Sequence, residues 1–303
     1  MTYDCDVVII GAGPSGAAAG AMLVAEGVRV VILEREVFPR FCIGESLLPQ
    51  CMTYLEEAGL LAAVQAAGFQ VKNGAVFHRR EQHFAVDFRK KWSPGWGTTY
   101  QVQRARFDKI LADEAERQGV EIRYGCEVLD ARLTYAEAEL DYVDNDRVTH
   151  TIRAKYCLDA SGFGRVLANL LDLEQPSPLP LRRSFFTHVT DRIDPAEFDR
   201  EKILITVHPQ RRDVWYWLIP FSDGTSSIGV VGEPDYFVHD DTPDAGLWRC
   251  ISEDAHLANL LARAEPLHPV GSINGYSASV RTLHGPGFAL LGNAGEFLDP
   301  VFS

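Results

Sequence analysis

The sequence is short of positive charge. Its 303 residues carry 29 Lys and Arg against 42 Asp and Glu, a formal net charge of −13. A chain this acidic is a poor general binder of nucleic acid or of anionic membrane. Long apolar runs are missing as well, and none approaches the ~20 residues that cross a bilayer. The first apolar run has no basic leader ahead of it, so no export signal and a cytoplasmic location are expected. Cysteines at 5, 42, 51, 126, 157 and 250 form no CxxC pair and no Cys/His group with zinc spacing. They read as reduced thiols, Cys5 and Cys157 as small core residues, and no metal is expected. Repeats and low-complexity segments are lacking too.

What remains is an ordinary globular composition, 46% hydrophobic and 23% charged, long enough to enclose a cofactor. Residues 4–10 (DCDVVII) read as a buried strand, 14–26 as a helix of small residues and 28–35 (VRVVILER) as a second buried strand. This βαβ opening implies a doubly wound parallel sheet. Helical spacing returns over 47–67 and 105–118, where Phe107, Ile110, Leu111 and Ala115 share a face. Short alternating runs over 120–158 read as an antiparallel meander, and 182–232 as further antiparallel strands. Residues 244–264 look helical, and 287–300 return to strand, glycine turn and helix start.

GAGPSG sets Gly11, Gly13, Ser15 and Gly16 between the first strand and the first helix. The first glycine permits a tight turn, the second lets backbone approach a pyrophosphate, and the third allows close helix–strand packing. The phosphates belong at the helix N-terminus, where free N–H groups and the dipole favour negative charge. Glu34 ends the second strand, where an acidic side chain accepts from ribose hydroxyls. Two more glycine turns follow buried strands, at Asp159 and Gly162 in CLDASGFGR and at Asn293 and Gly295 in LLGNAGEFLDP. A nicotinamide site does not explain three such turns, whereas the long FAD molecule does. Arg104, opening a helix, suits the pyrophosphate or the flavin edge, and reads equally as a solvated helix-start arginine. The GxGxxG motif occurs once, so reducing electrons are expected from a separate NAD(P)H flavin reductase.

In VWYWLIP, alternation puts Trp215, Trp217 and Ile219 on one face of a strand that Pro220 ends. Core packing explains such a pair on its own. Together with GAGPSG, FPRFCIGESLLP (38–49), GFQVKNGAVF (68–77) and FLDPVFS (297–303), this WxWxIP pattern resembles the flavin-dependent halogenases. The resemblance covers essentially the whole chain and favours the phenol or pyrrole branch. It implies an α/β fold: a Rossmann-like FAD-binding domain of the aromatic-hydroxylase type, with an inserted antiparallel-sheet substrate domain. The expected division is 1–80, 100–180 and 270–303 for the discontinuous FAD-binding domain, and 81–99 and 181–269 for the substrate domain. The final motif looks incomplete after Ser303, so a C-terminally truncated chain is expected.

The activity implied by the family uses FAD as FADH2, with O2 and chloride or bromide as co-substrates. Hypohalous acid forms at the flavin and travels to a lysine beside the organic substrate. Lys72 matches that lysine, although its own surroundings read as a solvated loop. Trp215, Trp217, Ile219 and Pro220 would wall the flavin off from the substrate. Arg35, Arg40, Glu45 and Ser46 join the cofactor-binding set, with helix capping as the alternative for Ser46. Pro300 and Ser303 fall on a halide-side loop. Phe302 stands where halogenases of free tryptophan carry Glu, which points to a phenol, a pyrrole or a similar intermediate, free or on a carrier protein. Alternatives left open are a flavin monooxygenase or reductase of the same fold and an inactive FAD-binding fragment.

Overall fold

A computed structural model of the chain describes residues 2–297, so Pro300, Phe302 and Ser303 lie outside the described residues. The first layer is a six-stranded sheet in the order 284–285, 288–290, 156–159, 7–10, 30–34, 121–124. All its pairs are parallel except the first. Val7–Ile10 and Val30–Glu34 are almost entirely buried, as expected of strands covered on both faces.

The helix Pro14–Ala25 starts with Pro at its first turn, where the missing N–H costs nothing. Its small buried residues, Gly16, Ala17, Gly20 and Ala21, bring it close to the sheet. The helix Arg104–Gln118 buries Phe107, Leu111 and Ala115 in the same core cluster and ends at Gly119, whose φ of +110° suits a left-handed cap. A three-stranded antiparallel meander, 127–133, 138–143 and 149–154, covers part of the opposite face. The strands flanking it, 121–124 and 156–159, belong to the parallel sheet, so only the middle of the expected meander is antiparallel.

The second layer is an eight-stranded sheet assembled from 74–87 and 183–274. It is antiparallel apart from one parallel pair, Gly74–Arg79 with Lys202–Val207. Gly74–Arg79 therefore belongs with the larger sheet and not with the first layer, where the sequence had put it. One face packs against the helices Pro243–Ser252 and Ala255–Leu260. The other presents Ala75, Ile203, Ile205, Trp215, Ile219 and Val231. Gln70–Lys72 pairs with Thr99–Gln101 and joins the two layers. Among the described residues no helix is long and apolar enough to cross a membrane.

Candidate active site

The glycine loop divides its labour. A Cβ on Gly16 would lie 1.9 Å from the Gly11 carbonyl oxygen, and one on Gly11 would lie 2.8 Å from that of Ala160. Both positions exist to let backbones touch. A Cβ on Gly13 would meet only Arg40 Nη2, at 3.6 Å, so this position faces open space. The helix behind it has neither a side-chain cap nor an acidic residue in its first turn. Its N–H groups are left for an anion. Glu34, 5% exposed, accepts from the Ala12 and Glu36 amides at 2.8 Å each, which fixes the carboxylate and leaves lone pairs for ribose hydroxyls.

These groups line a cleft of about 900 Å³. Gly11, Gly13, Ser15, Glu34, Arg35 and Arg40 contribute from the first half of the chain, and Arg104, Gly162 and Asn293 from later segments. Ser15 abuts the last glycine turn, because a Cβ on Gly292 would lie 2.9 Å from its hydroxyl oxygen. Gly16 does not line the cleft and serves packing. Two more of the expected cofactor residues, Asp159 and Gly295, do not line the cleft. Asp159 is fully buried and accepts from the Ser161 and Leu167 amides, so it shapes the turn and does not line the cleft. Burial raises its pKa, opposed by those hydrogen bonds. Gly295 is likewise turned inward, its carbonyl accepting from Arg165 Nη1 at 3.3 Å.

Arg104 reaches the cleft with its donors committed. It gives two hydrogen bonds to Asp108, at 2.6 and 3.0 Å, and one to the Ile43 carbonyl at 2.8 Å. Burial opposes its charge and the Asp108 bonds outweigh that, leaving its pKa raised. Arg40 Nη1 approaches the same Asp108 carboxylate at 3.2 Å. Asp108 was missed in the sequence, where its i,i+4 spacing from Arg104 was the available signal.

Beyond Gly44 and Phe163, which line both spaces, opens a second cavity of about 560 Å³. Glu45 and Ser46 lie here and not in the cofactor cleft. Lys72 is 1% exposed, which overturns the solvated-loop alternative. It donates to Ser46 Oγ at 2.6 Å and to the Leu47 carbonyl at 2.8 Å, and lies 5.2 Å from the centroid of the Phe88 ring. Burial pulls its pKa from 10.5 down to about 8. Ser46 is not the helix cap, since Leu48 occupies that position. Glu45, 2% exposed, meets His188 Nε2 at 2.7 Å, a partner that no local pattern announced. Trp215, Trp217 and Ile219 line this cavity together, as alternation required, and Pro220 does not. The two indole centroids are 6.0 Å apart, and Trp217 Nε1 donates to Ser227 Oγ at 3.0 Å. Neither indole lines the cofactor cleft.

Residues 4–275 match the FAD binding domain family. The chain belongs to this family. FAD is its cofactor, and the cleft fits it: an uncapped helix start, an open Gly13 and a fixed carboxylate at the strand end. The flavoprotein is 27% identical to the 1H-pyrrole-2-carbonyl-peptidyl-carrier-protein chlorinase of Pseudomonas fluorescens, over 99% of this chain and 72% of that one. A flavoprotein/dehydrogenase from Cytophaga hutchinsonii shares 43% identity with a TM-score of 0.94, over 98% of this chain and 73% of that one. The myxobacterial chondrochloren halogenase shares 28% identity with a TM-score of 0.88, over 99% and 70% of the two chains. The named halogenase relatives make the chain an enzyme of the flavin-dependent halogenase type. It spans 72% of the length of the pyrrole-carrier chlorinase and 57% of that of a tryptophan 2-halogenase from Chondromyces crocatus.

Proposed function

We propose that this flavoprotein halogenates an electron-rich aromatic ring, a phenol or a pyrrole-like intermediate, free or tethered to a carrier protein. The observation that carries this is a lysine buried to 1% exposure that lines an apolar cavity adjoining the cofactor cleft. Bound as FADH2, the cofactor supplies two electrons to O2 while halide supplies two more, giving hypohalous acid and water. A separate NAD(P)H flavin reductase supplies the reduced flavin. The Gly13 loop, Arg40 and Glu34 hold the dinucleotide, and the loop from Ile43 to Ser46, tied down by Arg104 and Lys72, borders the passage between the two spaces. Trp215 and Trp217 stiffen the far space and limit how closely an organic ring approaches the cleft.

Lys72 Nζ holds the electrophilic halogen, by hydrogen bond or as a haloamine, and presents it to the ring carbon. A pKa near 8 keeps both ammonium and free amine accessible around neutral pH. Support for a phenol or pyrrole comes from the pyrrole-carrier chlorinase relative and from Phe302 in the sequence. Six unpaired thiols fit a cytoplasmic location.

The test supplies the protein with FAD, NADH, an unrelated flavin reductase, oxygen and halide, together with phenols, pyrroles and their carrier-bound forms. Mass spectrometry should show halogen isotope patterns that vanish in Lys72→Ala while FAD stays bound. Equal halogenation by Lys72→Ala would remove the lysine from the reaction. The Cytophaga hutchinsonii flavoprotein/dehydrogenase favours a second reading, a reductase or monooxygenase of the same fold. Oxygenation or reduction of substrate without any need for halide would establish it.

A further inference from the structure

The cavity beside Lys72 is far too large for the ring it is proposed to serve. A space of about 150 Å³ holds a benzene ring. The cavity measures about 560 Å³, so a bare phenol or pyrrole fills roughly a quarter of it. Its floor is the open face of the larger sheet. The register carries that floor from Ile273 and Val231, through Trp215 and Ile205, to Phe77 and Phe84. Neighbouring strands lie about 4.8 Å apart, so the four steps from the strand of Ser184 to that of Ala75 span roughly 19 Å.

Polarity along this space is uneven. Glu45, Ser46 and Lys72 bring the charged groups, Lys72 bonded to Ser46 and Glu45 to His188, which lies on the strand of Ser184. On the floor across the sheet the side chains are overwhelmingly hydrocarbon. Ser184 interrupts them: it is 2% exposed, lines the cavity, and its hydroxyl has no hydrogen-bond partner among the described residues. A buried polar atom left unpaired is costly unless a ligand satisfies it.

We propose that the substrate is an amphiphile. Its reactive aromatic ring sits at Lys72, a hydrocarbon tail lies across the sheet, and a hydrogen-bonding group on the tail pairs with Ser184. The identity of the reacting end rests on the halogenase reading; the tail site does not.

Calorimetric titration of the FAD-loaded protein with phenol, 4-propylphenol, 4-hexylphenol and 4-nonylphenol tests this without turnover. Affinity should rise severalfold per methylene, up to about fourfold, with a negative heat-capacity change. Equal affinity for phenol and 4-nonylphenol would overturn the proposal. Ser184→Ala should leave 4-nonylphenol binding unchanged and weaken its chain-terminal hydroxyl analogue roughly threefold to tenfold. Equal binding of that analogue to both proteins would overturn the Ser184 assignment. Halogen incorporation is read separately by mass spectrometry. If halogenation fails while affinity still climbs with tail length, the tail site stands and the halogenase reading falls.

Discussion

An amine at 1% exposure with a pKa near 8 carries a cost that can be measured. Charging Lys72 is harder in the folded protein than in the unfolded chain, where its pKa is 10.5. Between about 8 and 10.5 the unfolded chain therefore binds more protons, and stability rises with pH across that window. Lys72→Met removes the titration. The unfolding free energy of the wild type, measured relative to Lys72→Met by urea denaturation, should grow by about 3 kcal/mol from the bottom of the window to the top. A difference that is flat in pH would mean the amine is not desolvated. Lys72 was legible only through the motif around it, since lysines in loops are normally solvated. Asp108 was announced only by its i,i+4 spacing from Arg104, whereas His188 and Ser184 were not legible, because a polar residue in an apolar pattern shows its partner, or the lack of one, only when distant segments meet.

At the scale of elements, the glycines of the first turn separate folding from binding. Gly13→Val should keep the fold and lose flavin, since its side chain enters space that only a ligand uses. Gly16→Val must displace the Gly11 carbonyl and should lower stability whether or not flavin is present. Circular dichroism and flavin absorbance on the two variants check the contrast. In the larger sheet, Gly229 lies opposite Trp217, and a Cβ there would come within 2.3 Å of the indole. Gly229→Ala should therefore push Trp217 off its bond to Ser227 and shift the tryptophan emission. Helix and strand positions were largely readable, because the periodicity of Phe107, Leu111 and Ala115, or of the alternating WYWLIP, is a local property. The parallel pairing of Gly74–Arg79 with Lys202–Val207 was not, because a local pattern does not name a partner so remote in the chain.

Taken whole, the described residues form two large sheets with three smaller ones beside them, and the cofactor cleft is drawn from the first turn, the loop after Glu34, the start of the helix Arg104–Gln118 and two later glycine turns. A ligand that touches so many separate segments stabilises all of them at once. FAD at about one hundred times its dissociation constant should add about 2.7 kcal/mol, seen as a rise in melting temperature that depends on FAD concentration. No rise would mean that the cleft does not hold the cofactor. The strand order has another consequence, which bears on biosynthesis. Val7–Ile10 leaves the ribosome well before its neighbour on one side, Tyr156–Asp159, whose own next neighbour is Phe288–Leu290. The larger sheet likewise waits for strands beyond residue 200. The apolar strands of the first turn must therefore stay unpaired on that side through much of translation, and flavin can be captured only once synthesis of the described chain is almost finished.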